Sequence, residues 1–286
     1  MRNLIIGARG LVGSALSNPR LLPDAKLGVQ VEAKTPNQVY IDITKYETLF
    51  KVFSDYRPQV VYLPASITHV DKCEDISTNI VNVRGAITVL RLCEQFESKL
   101  VYFSSSYVFD GEAKSPYPVT AETNPINNYG KQKETVERTI LQSDAKFVII
   151  RTVGVFGEER QKKNFAKSVL SAVFAGRKVF APSDQFMNPI LSVDLARISV
   201  QLAERGQGLF HVAGDTTLSK FDFAHKIASY FKLENLVIPT TSEEMEQRAP
   251  RPKMGALDCS GLKDIGLEVP SFERCVLNFL SMEYNG

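Results

Sequence analysis

The chain has 286 residues, of which 44% are hydrophobic and 23% are charged, and its formal net charge is +2. These values predict a globular protein with one large or two modest domains. They exclude a strongly basic nucleic-acid binder, and no apolar run reaches the length of a membrane span, so we expect neither partner.

Cysteine, histidine and the amino terminus give three further expectations. The four cysteines lie far apart without a Cys-x-x-Cys pair, which predicts reduced thiols. The three histidines share no ligand-like spacing, so we expect no metal. Met1 and Arg2 lead directly into apolar residues 4–6 and leave no room for a signal peptide, which predicts a cytoplasmic location.

The chain opens on a short apolar strand over residues 3–6, followed by a glycine-rich turn and a helix that runs through Leu16. The turn reads Gly7-Ala8-Arg9-Gly10-Leu11-Val12-Gly13. Its glycines allow the close approach of a pyrophosphate, whose charge then lies at the amino end of the helix. The position of the turn between a first strand and a helix predicts a dinucleotide site.

The next two strands are expected to bind the adenosine part of that dinucleotide. A strand over residues 28–31 ends beside Glu32 and Lys34. An acid here favours a free ribose 2′-hydroxyl and a base favours a 2′-phosphate, so these two residues leave the choice open. A third strand over residues 39–43 presents Asp42 to the adenine amino group, and Ile43 covers the ring.

A fourth strand ends in small residues that let the cofactor ribose and nicotinamide approach closely. It covers residues 60–63, after a helix over residues 46–56, and it ends in Pro64, Ala65 and Ser66. A single long helix is predicted from about residue 76 to residue 96.

A fifth strand over residues 99–103 leads through three serines and a turn-rich loop to Tyr129 and Lys133 at the start of a helix. Residues four apart lie on one face of a helix. A lysine ammonium beside a phenol lowers the phenol's pKa from about 10, so that it can act as acid or base. Ser105, at the strand end, is expected to hydrogen-bond the same substrate oxygen. A solvated helix start gives the same spacing, but the glycine turn and Ser105 favour the catalytic interpretation.

These motifs resemble the extended, nucleotide-sugar branch of the short-chain dehydrogenase/reductase superfamily, and the dTDP-4-dehydrorhamnose reductase-like family in particular. Residues 68–74 are similar to that family's Thr-Ala-Val-Asp-Lys-Ala-Glu, and residues 104–111 to its Ser-Thr-Asp-Tyr-Val-Phe-x-Gly. Residues 128–133 are similar to its Val-Tyr-Gly-x-x-Lys. The resemblance continues to Arg251-Pro252-Lys253 and so covers nearly the whole chain.

The resemblance implies roles for individual residues. The catalytic residues would be Ser105, Tyr129 and Lys133, of which Tyr129 and Lys133 would also hold the cofactor. The substrate contacts would be Thr68, Val70, Ser105, Ser106, Tyr107, Gly154, Phe186 and Arg251. His69 would lie at the pocket rim or surface. Asn82 stands where the superfamily's helix asparagine holds a water of the proton relay, although a polar residue on a solvated face fits the sequence equally well.

Three positions depart from the family pattern where the substrate is expected. Ser106 replaces an aspartate, Gly154 replaces a tryptophan that contacts the sugar, and residues 187–190 replace Gly-x-Pro-Thr. We therefore expect a sugar different from dTDP-4-dehydrorhamnose. Either Phe186 or Met187 fills the place of the missing ring, or a bulkier sugar occupies it.

The glycine turn is similar to that of GDP-fucose synthases, in which an arginine at the place of Arg9 attends the 2′-phosphate. This similarity favours NADP(H), with NAD(H) as the alternative cofactor. Alternating strands and helices predict an α/β fold, a Rossmann-type doubly wound parallel sheet with a smaller C-terminal α/β substrate domain. The expected domains are residues 1–153, which bind NAD(P), and residues 154–286, some segments of which return to the first domain.

The resemblance implies an NADPH-dependent reduction of the 4-keto group of a nucleotide-linked 4-keto-6-deoxy-sugar. It is also compatible with a homodimer. Ser106 and Tyr107 stand where related 4,6-dehydratases carry an acid pair, so dehydration is not expected. Two alternatives stay open. One is an NDP-sugar epimerase that uses bound NAD, and the other is a non-catalytic NADP-binding subunit resembling the β subunit of methionine adenosyltransferase.

Overall fold

The computed structural model describes residues 1–30, 35–158 and 164–284. Its strands are β1 (Asn3–Ile6), β2 (Lys26–Val29), β3 (Gln38–Tyr40), β4 (Val60–Leu63), β5 (Lys99–Ser105), β6 (Phe147–Thr152), β7 (Val155–Phe156), β8 (Val179–Pro182), β9 (Phe186–Met187), β10 (Ile190–Leu191), β11 (Gly208–His211), β12 (Leu218–Ser219) and β13 (Val237–Thr240). Its α-helices are α1 (Leu11–Leu16), α2 (Tyr46–Tyr56), α3 (Val70–Cys73), α4 (Ala86–Gln95), α5 (Asn128–Leu141), α6 (Phe165–Phe174), α7 (Ser192–Arg205), α8 (Lys220–Ser229) and α9 (Phe272–Tyr284). In the part of the chain that the structure covers, no helix is long and apolar enough to span a membrane.

A seven-stranded parallel sheet forms the centre, in the order β11-β6-β5-β4-β1-β2-β3. Both β1 and β4 are buried along their whole length, as expected for apolar strands covered by helices on both faces. The strand order reverses between β1 and β4, and ligands bind such sheets at the carboxyl ends of the strands at this point. The predicted doubly wound fold is confirmed.

The part of the chain after β6 contributes to two regions. Three two-stranded pairs, β10 with β7, β12 with β9 and β13 with β8, surround a separate core. In this core Phe156 packs edge-to-face on Phe223 and on Phe279, at centroid distances of 5.1 and 5.5 Å. The strand β11, by contrast, joins the large sheet beside β6. The division at residue 153 stays a proposal about domains.

The predicted helix over residues 76–96 is wrong as a single element. A 3₁₀ turn covers Ile76–Thr78, a π-helical segment covers Ile80–Gly85, and only Ala86–Gln95 is α-helical. The side chain of Asp75 accepts a hydrogen bond from the Ser77 amide and so begins the 3₁₀ turn. The wide π-helical turn places Asn82 inside the protein, where it is 2% exposed.

Several predicted strand ends also shift. The second strand spans Lys26–Val29, and Val31, Glu32 and Lys34 lie outside the described residues. The edge strand β3 ends at Tyr40, because Asp42 bonds the Thr44 amide and turns the chain. The central strand β5 continues to Ser105, since its last residues pair with β6.

A buried ion pair joins α5 to β6. Glu137 and Arg151 have side chains that are 2% and 5% exposed. Arg151 donates from Nε and Nη2 to the Glu137 carboxylate, at 3.0 and 2.7 Å. Its guanidinium also lies 5.0 Å from the ring centroid of Phe109. Because α5 carries Tyr129 and Lys133, this pair fixes the helix of the predicted site against the sheet.

We predict that Arg151→Met lowers the free energy of unfolding by about 3–5 kcal/mol, because Glu137 is left buried without its partner. The double variant Arg151→Met/Glu137→Leu should recover most of this loss. Lys51→Met serves as the control, since the Lys51–Asp55 pair is largely exposed and such pairs contribute at most about 1 kcal/mol. Urea unfolding of the four proteins checks the prediction, and equal losses from Arg151→Met and Lys51→Met would contradict it.

Candidate active site

The glycine-rich turn after β1 is shaped by contacts that leave no room for side chains. Gly7 has a φ of +97°, and a Cβ there would lie 2.8 Å from the Ala65 backbone. A Cβ on Gly13 would lie 2.1 Å from the Gly7 carbonyl oxygen, so α1 packs directly onto the turn. A Cβ on Gly10 would meet only the Gly7 oxygen, at 3.6 Å. Gly7 and Gly13 therefore serve the packing, whereas Gly10 leaves the exposed face of the turn open to a pyrophosphate.

The other residues predicted to hold the cofactor lie around this turn. Arg9 is exposed, and Leu11 and Val12 are half-buried in the first turn of α1. Asp42 accepts hydrogen bonds from the hydroxyl and the amide of Thr44, at 2.7 and 3.0 Å. The Thr44 hydroxyl is the main reason that the pKa of Asp42 lies below its usual value. This carboxylate is thus charged at neutral pH and suited to accept from an adenine amino group.

Asn82 organises the loop that follows β4. Its Oδ1 accepts from the Ile67 amide at 2.7 Å and from the Ser66 hydroxyl at 3.0 Å. Its Nδ2 donates to the Ile67 carbonyl at 3.0 Å and to Gln132 Oε1 at 2.6 Å. The interpretation of Asn82 as a residue on a solvated face is therefore wrong. Pro64, Ala65 and Ser66 are half-buried where the loop passes the end of β4.

The helix α5 brings the predicted catalytic residues to the end of β5. Asn127 caps the helix by accepting from the Gly130 amide at 2.9 Å. A Cβ on Gly130 would lie 2.0 Å from the Tyr107 carbonyl oxygen, so only glycine allows this approach. The Lys133 ammonium donates to the Phe103 carbonyl at 2.9 Å and lies 5.7 Å from the centroid of the Tyr129 ring. Tyr129 is 9% exposed.

The electrostatics differ from the prediction that Lys133 lowers the pKa of Tyr129. Burial raises the pKa of Tyr129, with smaller contributions from Cys73 and Tyr107, and a hydrogen bond with Ser105 only partly opposes the rise. Burial lowers the pKa of Lys133 itself to about 8, although the Glu137 carboxylate opposes this. The prediction is wrong because burial is the largest cause of the change in the pKa of Tyr129, and Lys133 is not among its causes. A phenol with a raised pKa is protonated at neutral pH and can donate its proton.

Of the predicted substrate residues, Tyr107 lies beside Tyr129, and Arg251 is bound to Asp71. The rings of Tyr107 and Tyr129 pack edge-to-face with centroids 5.9 Å apart. Arg251 donates to Asp71 Oδ1 at 2.9 Å, and the Ala249 amide donates to the same oxygen at 3.0 Å. Thr68 is exposed and Val70 half-buried in the segment that leads to Asp71.

Ser106 and Phe186 lie on either side of Gly255. Ser106 is 0% exposed, and its hydroxyl has no hydrogen-bond partner within the described part of the chain. A Cβ on Gly255 would lie 3.5 Å from that hydroxyl and 3.1 Å from the Phe186 carbonyl oxygen. The Phe186 side chain is 38% exposed. The structure therefore brings Ser106 and Phe186 together at Gly255, and it brings Tyr107 to the ring of Tyr129.

The contacts of Gly154 agree with the first of the two alternatives for the missing ring. Its φ is +59°, and a Cβ there would lie 2.8 Å from Met187 Sδ and 3.1 Å from Pro189 Cα. Met187, which is 5% exposed, therefore fills the place expected for an aromatic ring.

The sequence reasoning missed several polar residues of the site. Gln132, one position before Lys133, donates to Thr78 and Asn79 at 2.7 and 2.8 Å and joins the Asn82 network. Asp71 belongs to residues 68–74, which carry part of the family resemblance, but its hydrogen-bond partner Arg251 is far away in sequence. Because hydrogen-bond partners on distant segments leave no periodic pattern, only the Gln132 position, next to a predicted catalytic residue, gave a usable indication.

The fold and the site have the features of an extended short-chain dehydrogenase/reductase. These are a parallel sheet whose strand order reverses between β1 and β4, a glycine turn at that point, and a serine, a tyrosine and a lysine beside it. The family model of the RmlD substrate binding domain matches residues 1–284. The chain belongs to this family of dTDP-4-dehydrorhamnose reductase-like proteins, as predicted.

Individual relatives cover almost the whole chain. The dTDP-4-dehydrorhamnose reductase of Aggregatibacter actinomycetemcomitans is 30% identical, with 97% of each protein covered. A crystal structure of the Bacillus anthracis dTDP-4-dehydrorhamnose reductase in complex with NADP has a TM-score of 0.89 and 27% identity, covering 98% of this chain and 99% of that one. The methionine adenosyltransferase 2 subunit beta of Danio rerio is 29% identical over 94% of this chain and 86% of its own. The predicted family of sugar-nucleotide reductases is confirmed, and the sugar is left unassigned.

We predict that the stability of the protein relative to Lys133→Met rises with pH between about 8 and 10. The pKa of Lys133 is about 8 in the folded protein and about 10.4 when unfolded, so the unfolded chain binds more protons in this window and each pH unit adds up to about 1.4 kcal/mol to the free energy of unfolding. Lys131→Met, an exposed change on the same helix, is the control. Urea unfolding at several pH values measures the difference, and a difference independent of pH contradicts the prediction.

Proposed function

We propose that the protein reduces the 4-keto group of a nucleotide-linked 4-keto-6-deoxy-sugar and uses NADPH. The observation that carries the proposal is the convergence of Ser105, Tyr129 and Lys133 at the carboxyl end of β5, beside the glycine turn after β1. The relatives named as dTDP-4-dehydrorhamnose reductases, one of them solved with NADP, support it. A nucleotide-linked sugar is the corresponding substrate.

The residues present fit a nicotinamide dinucleotide. The open face of Gly10 suits the pyrophosphate, and Asp42 is held in its charged form near the position expected for adenine. Ala65 packs against Gly7, so a small residue lines the path between the turn and Ser105. NADP(H) is preferred in this proposal and NAD(H) is the alternative. When bound, the cofactor supplies the hydride.

The protein residues then supply orientation and the proton. Ser105 donates a hydrogen bond to the carbonyl oxygen of the sugar and so polarises the carbonyl. Tyr129, protonated because burial raises its pKa, gives its proton to the alkoxide that forms. Lys133, anchored on the Phe103 carbonyl, would hold the ribose hydroxyls of the cofactor and would place a positive charge near the phenolate that remains. In this proposal Asn82, which is hydrogen-bonded to Gln132, would hold the water that returns a proton to Tyr129.

A non-catalytic role is the second candidate. One observation in its favour is the similarity to the β subunits of methionine adenosyltransferase 2. Another is that Met187, and not an aromatic ring facing the cleft, occupies the space beside Gly154. Tyr107 and the exposed ring of Phe186 still offer aromatic surface to a sugar. This remaining surface, together with the complete catalytic set, leads us to prefer the reductase.

The test is NADPH oxidation against a panel of dTDP-, GDP- and CDP-linked 4-keto-6-deoxy-sugars. A reductase oxidises NADPH in proportion to sugar reduced, whereas an epimerase changes the sugar without net oxidation and a binding subunit does neither. Because Ser106 and Met187 depart from the family, we expect a preference for a sugar other than dTDP-4-dehydrorhamnose. Absence of turnover with every member of the panel would favour the non-catalytic role.

We predict that Tyr129→Phe lowers kcat by about 10²–10⁴-fold and leaves the Kd for NADPH nearly unchanged, since only the proton donor is lost. Tyr46→Phe, at a tyrosine that is 50% exposed on α2, is the control and should keep full activity. Steady-state kinetics and fluorescence titration with NADPH provide the two measurements. Near-native kcat in Tyr129→Phe would remove this residue from the mechanism.

For the cofactor, we predict tighter binding of NADPH than of NADH and a smaller gap after Arg9→Ala. The exposed Arg9 guanidinium can pair with a 2′-phosphate, and such a charge-assisted bond contributes on the order of 1.5–3 kcal/mol. Arg91→Ala, a change of a largely exposed arginine on α4, is the control. Equal dissociation constants for both cofactors in the unmodified protein would contradict the prediction.

A further inference from the structure

Gln132 directly precedes Lys133 on α5, and it is only 4% exposed. Its Oε1 accepts a hydrogen bond from Asn82 Nδ2 at 2.6 Å. Its Nε2 donates to Thr78 Oγ1 at 2.7 Å and to Asn79 Oδ1 at 2.8 Å. The Gln132 amide therefore joins α5 to the π-helical segment through its oxygen and to the preceding 3₁₀ turn through its nitrogen.

The direction of these hydrogen bonds is fixed by groups that can only donate or only accept. The Ile67 amide donates to Asn82 Oδ1 at 2.7 Å, and the Ile67 carbonyl accepts from Asn82 Nδ2 at 3.0 Å, so the Asn82 amide has one orientation. The second hydrogen of Nδ2 then goes to Gln132 Oε1. The Thr78 hydroxyl donates to the Asp75 carbonyl at 2.7 Å and so accepts from Gln132 Nε2. The Gln132 amide thus has one orientation as well.

The segment that Asn82 holds is the loop after β4, which receives the ribose and the nicotinamide in the proposed function. Ser66 of this loop donates to Asn82 Oδ1 at 3.0 Å. Within the described part of the chain, one other acceptor lies near Asn82 Nδ2 in the place of Gln132, the weakly accepting sulfur of Cys73 at 3.6 Å. Loss of the Gln132 oxygen leaves a buried N–H unsatisfied, and a rotation of the Asn82 amide that relieves this breaks its bonds with Ile67.

We propose that Gln132 is a positioning residue for the cofactor. Through Asn82 it holds the loop after β4 in the conformation that receives the ribose and the nicotinamide. Because Tyr129 and Lys133 lie on the same turns of α5 as Gln132, the contact also fixes this loop relative to the proton donor. The inference rests on the cofactor of the proposed function and not on its sugar.

Hydrogen exchange of the full-length protein without cofactor, read by mass spectrometry, measures the loop directly. Gln132→Met keeps the length of the side chain and removes both polar groups. It should raise the exchange rate of residues 64–69 by about fivefold or more, while β1 and β4 exchange as in the unmodified protein. Gln142→Met, at an exposed glutamine directly after α5, is the matched control and should change neither region.

The second measurement is the Kd for NADPH, or for NADH if that binds more tightly, by fluorescence titration. Gln132→Met should raise this Kd by about fivefold or more. Gln132→Glu, titrated at about pH 6, should restore it to within about twofold of the unmodified protein, because burial keeps a carboxyl group protonated. A protonated Glu retains an acceptor for Asn82 and a donor for Thr78. Gln132→Leu is a second apolar substitution if Gln132→Met is unstable.

Two results with the apolar variants overturn the inference. One is an unchanged Kd, and the other is an exchange rate of residues 64–69 that is unchanged or rises equally with that of β1 and β4, as a contribution to global stability alone would produce. An unmodified protein that binds neither NADPH nor NADH overturns the inference and the proposed function together. A protein whose loop and cofactor affinity depend on Gln132 but which reduces no sugar supports the inference and contradicts the proposed reduction.

Discussion

The site depends on one buried charge, the ammonium of Lys133 on the Phe103 carbonyl. The ammonium lies 4.9 Å from the ring centroid of Tyr102 and 5.7 Å from that of Tyr129. Burial raises the pKa of Tyr129 and lowers that of Lys133. Keeping this charge inside requires the end of β5 and the first turns of α5 to stay fixed, because a lysine that moved would reach water.

The fold fixes those turns from three directions. Glu137 of α5 holds Arg151 of β6, while Gly130 lets the helix start lie directly on the Tyr107 carbonyl. The Asn127 side chain caps α5 and also donates to the Pro250 carbonyl at 2.9 Å. The loop that carries Arg251 is therefore tied to the helix that carries Tyr129.

Much of the architecture was predictable because it follows local rules. Short apolar runs that alternate with helical segments predicted the parallel sheet. The bounds of α2 and β4 agree with the prediction. The errors occurred where distant contacts override local preference. The π-helical turn at Ile80–Gly85 exists because Asn82 bonds the loop after β4 and Gly85 packs on Ile43, and neither contact is visible in the periodicity of the segment.

The sequence by itself determined the fold class, the glycine turn and the residue types that can move a proton, since spacing along a strand or helix decides which side chains share a face. Only the tertiary structure decided the direction of the Tyr129 pKa shift and which side chain lies beside Gly154. Burial, not the neighbouring lysine, sets the direction of the Tyr129 pKa, and Met187 fills the place at Gly154. Neither could be predicted from the sequence, because desolvation and contacts between distant segments are properties of the folded chain.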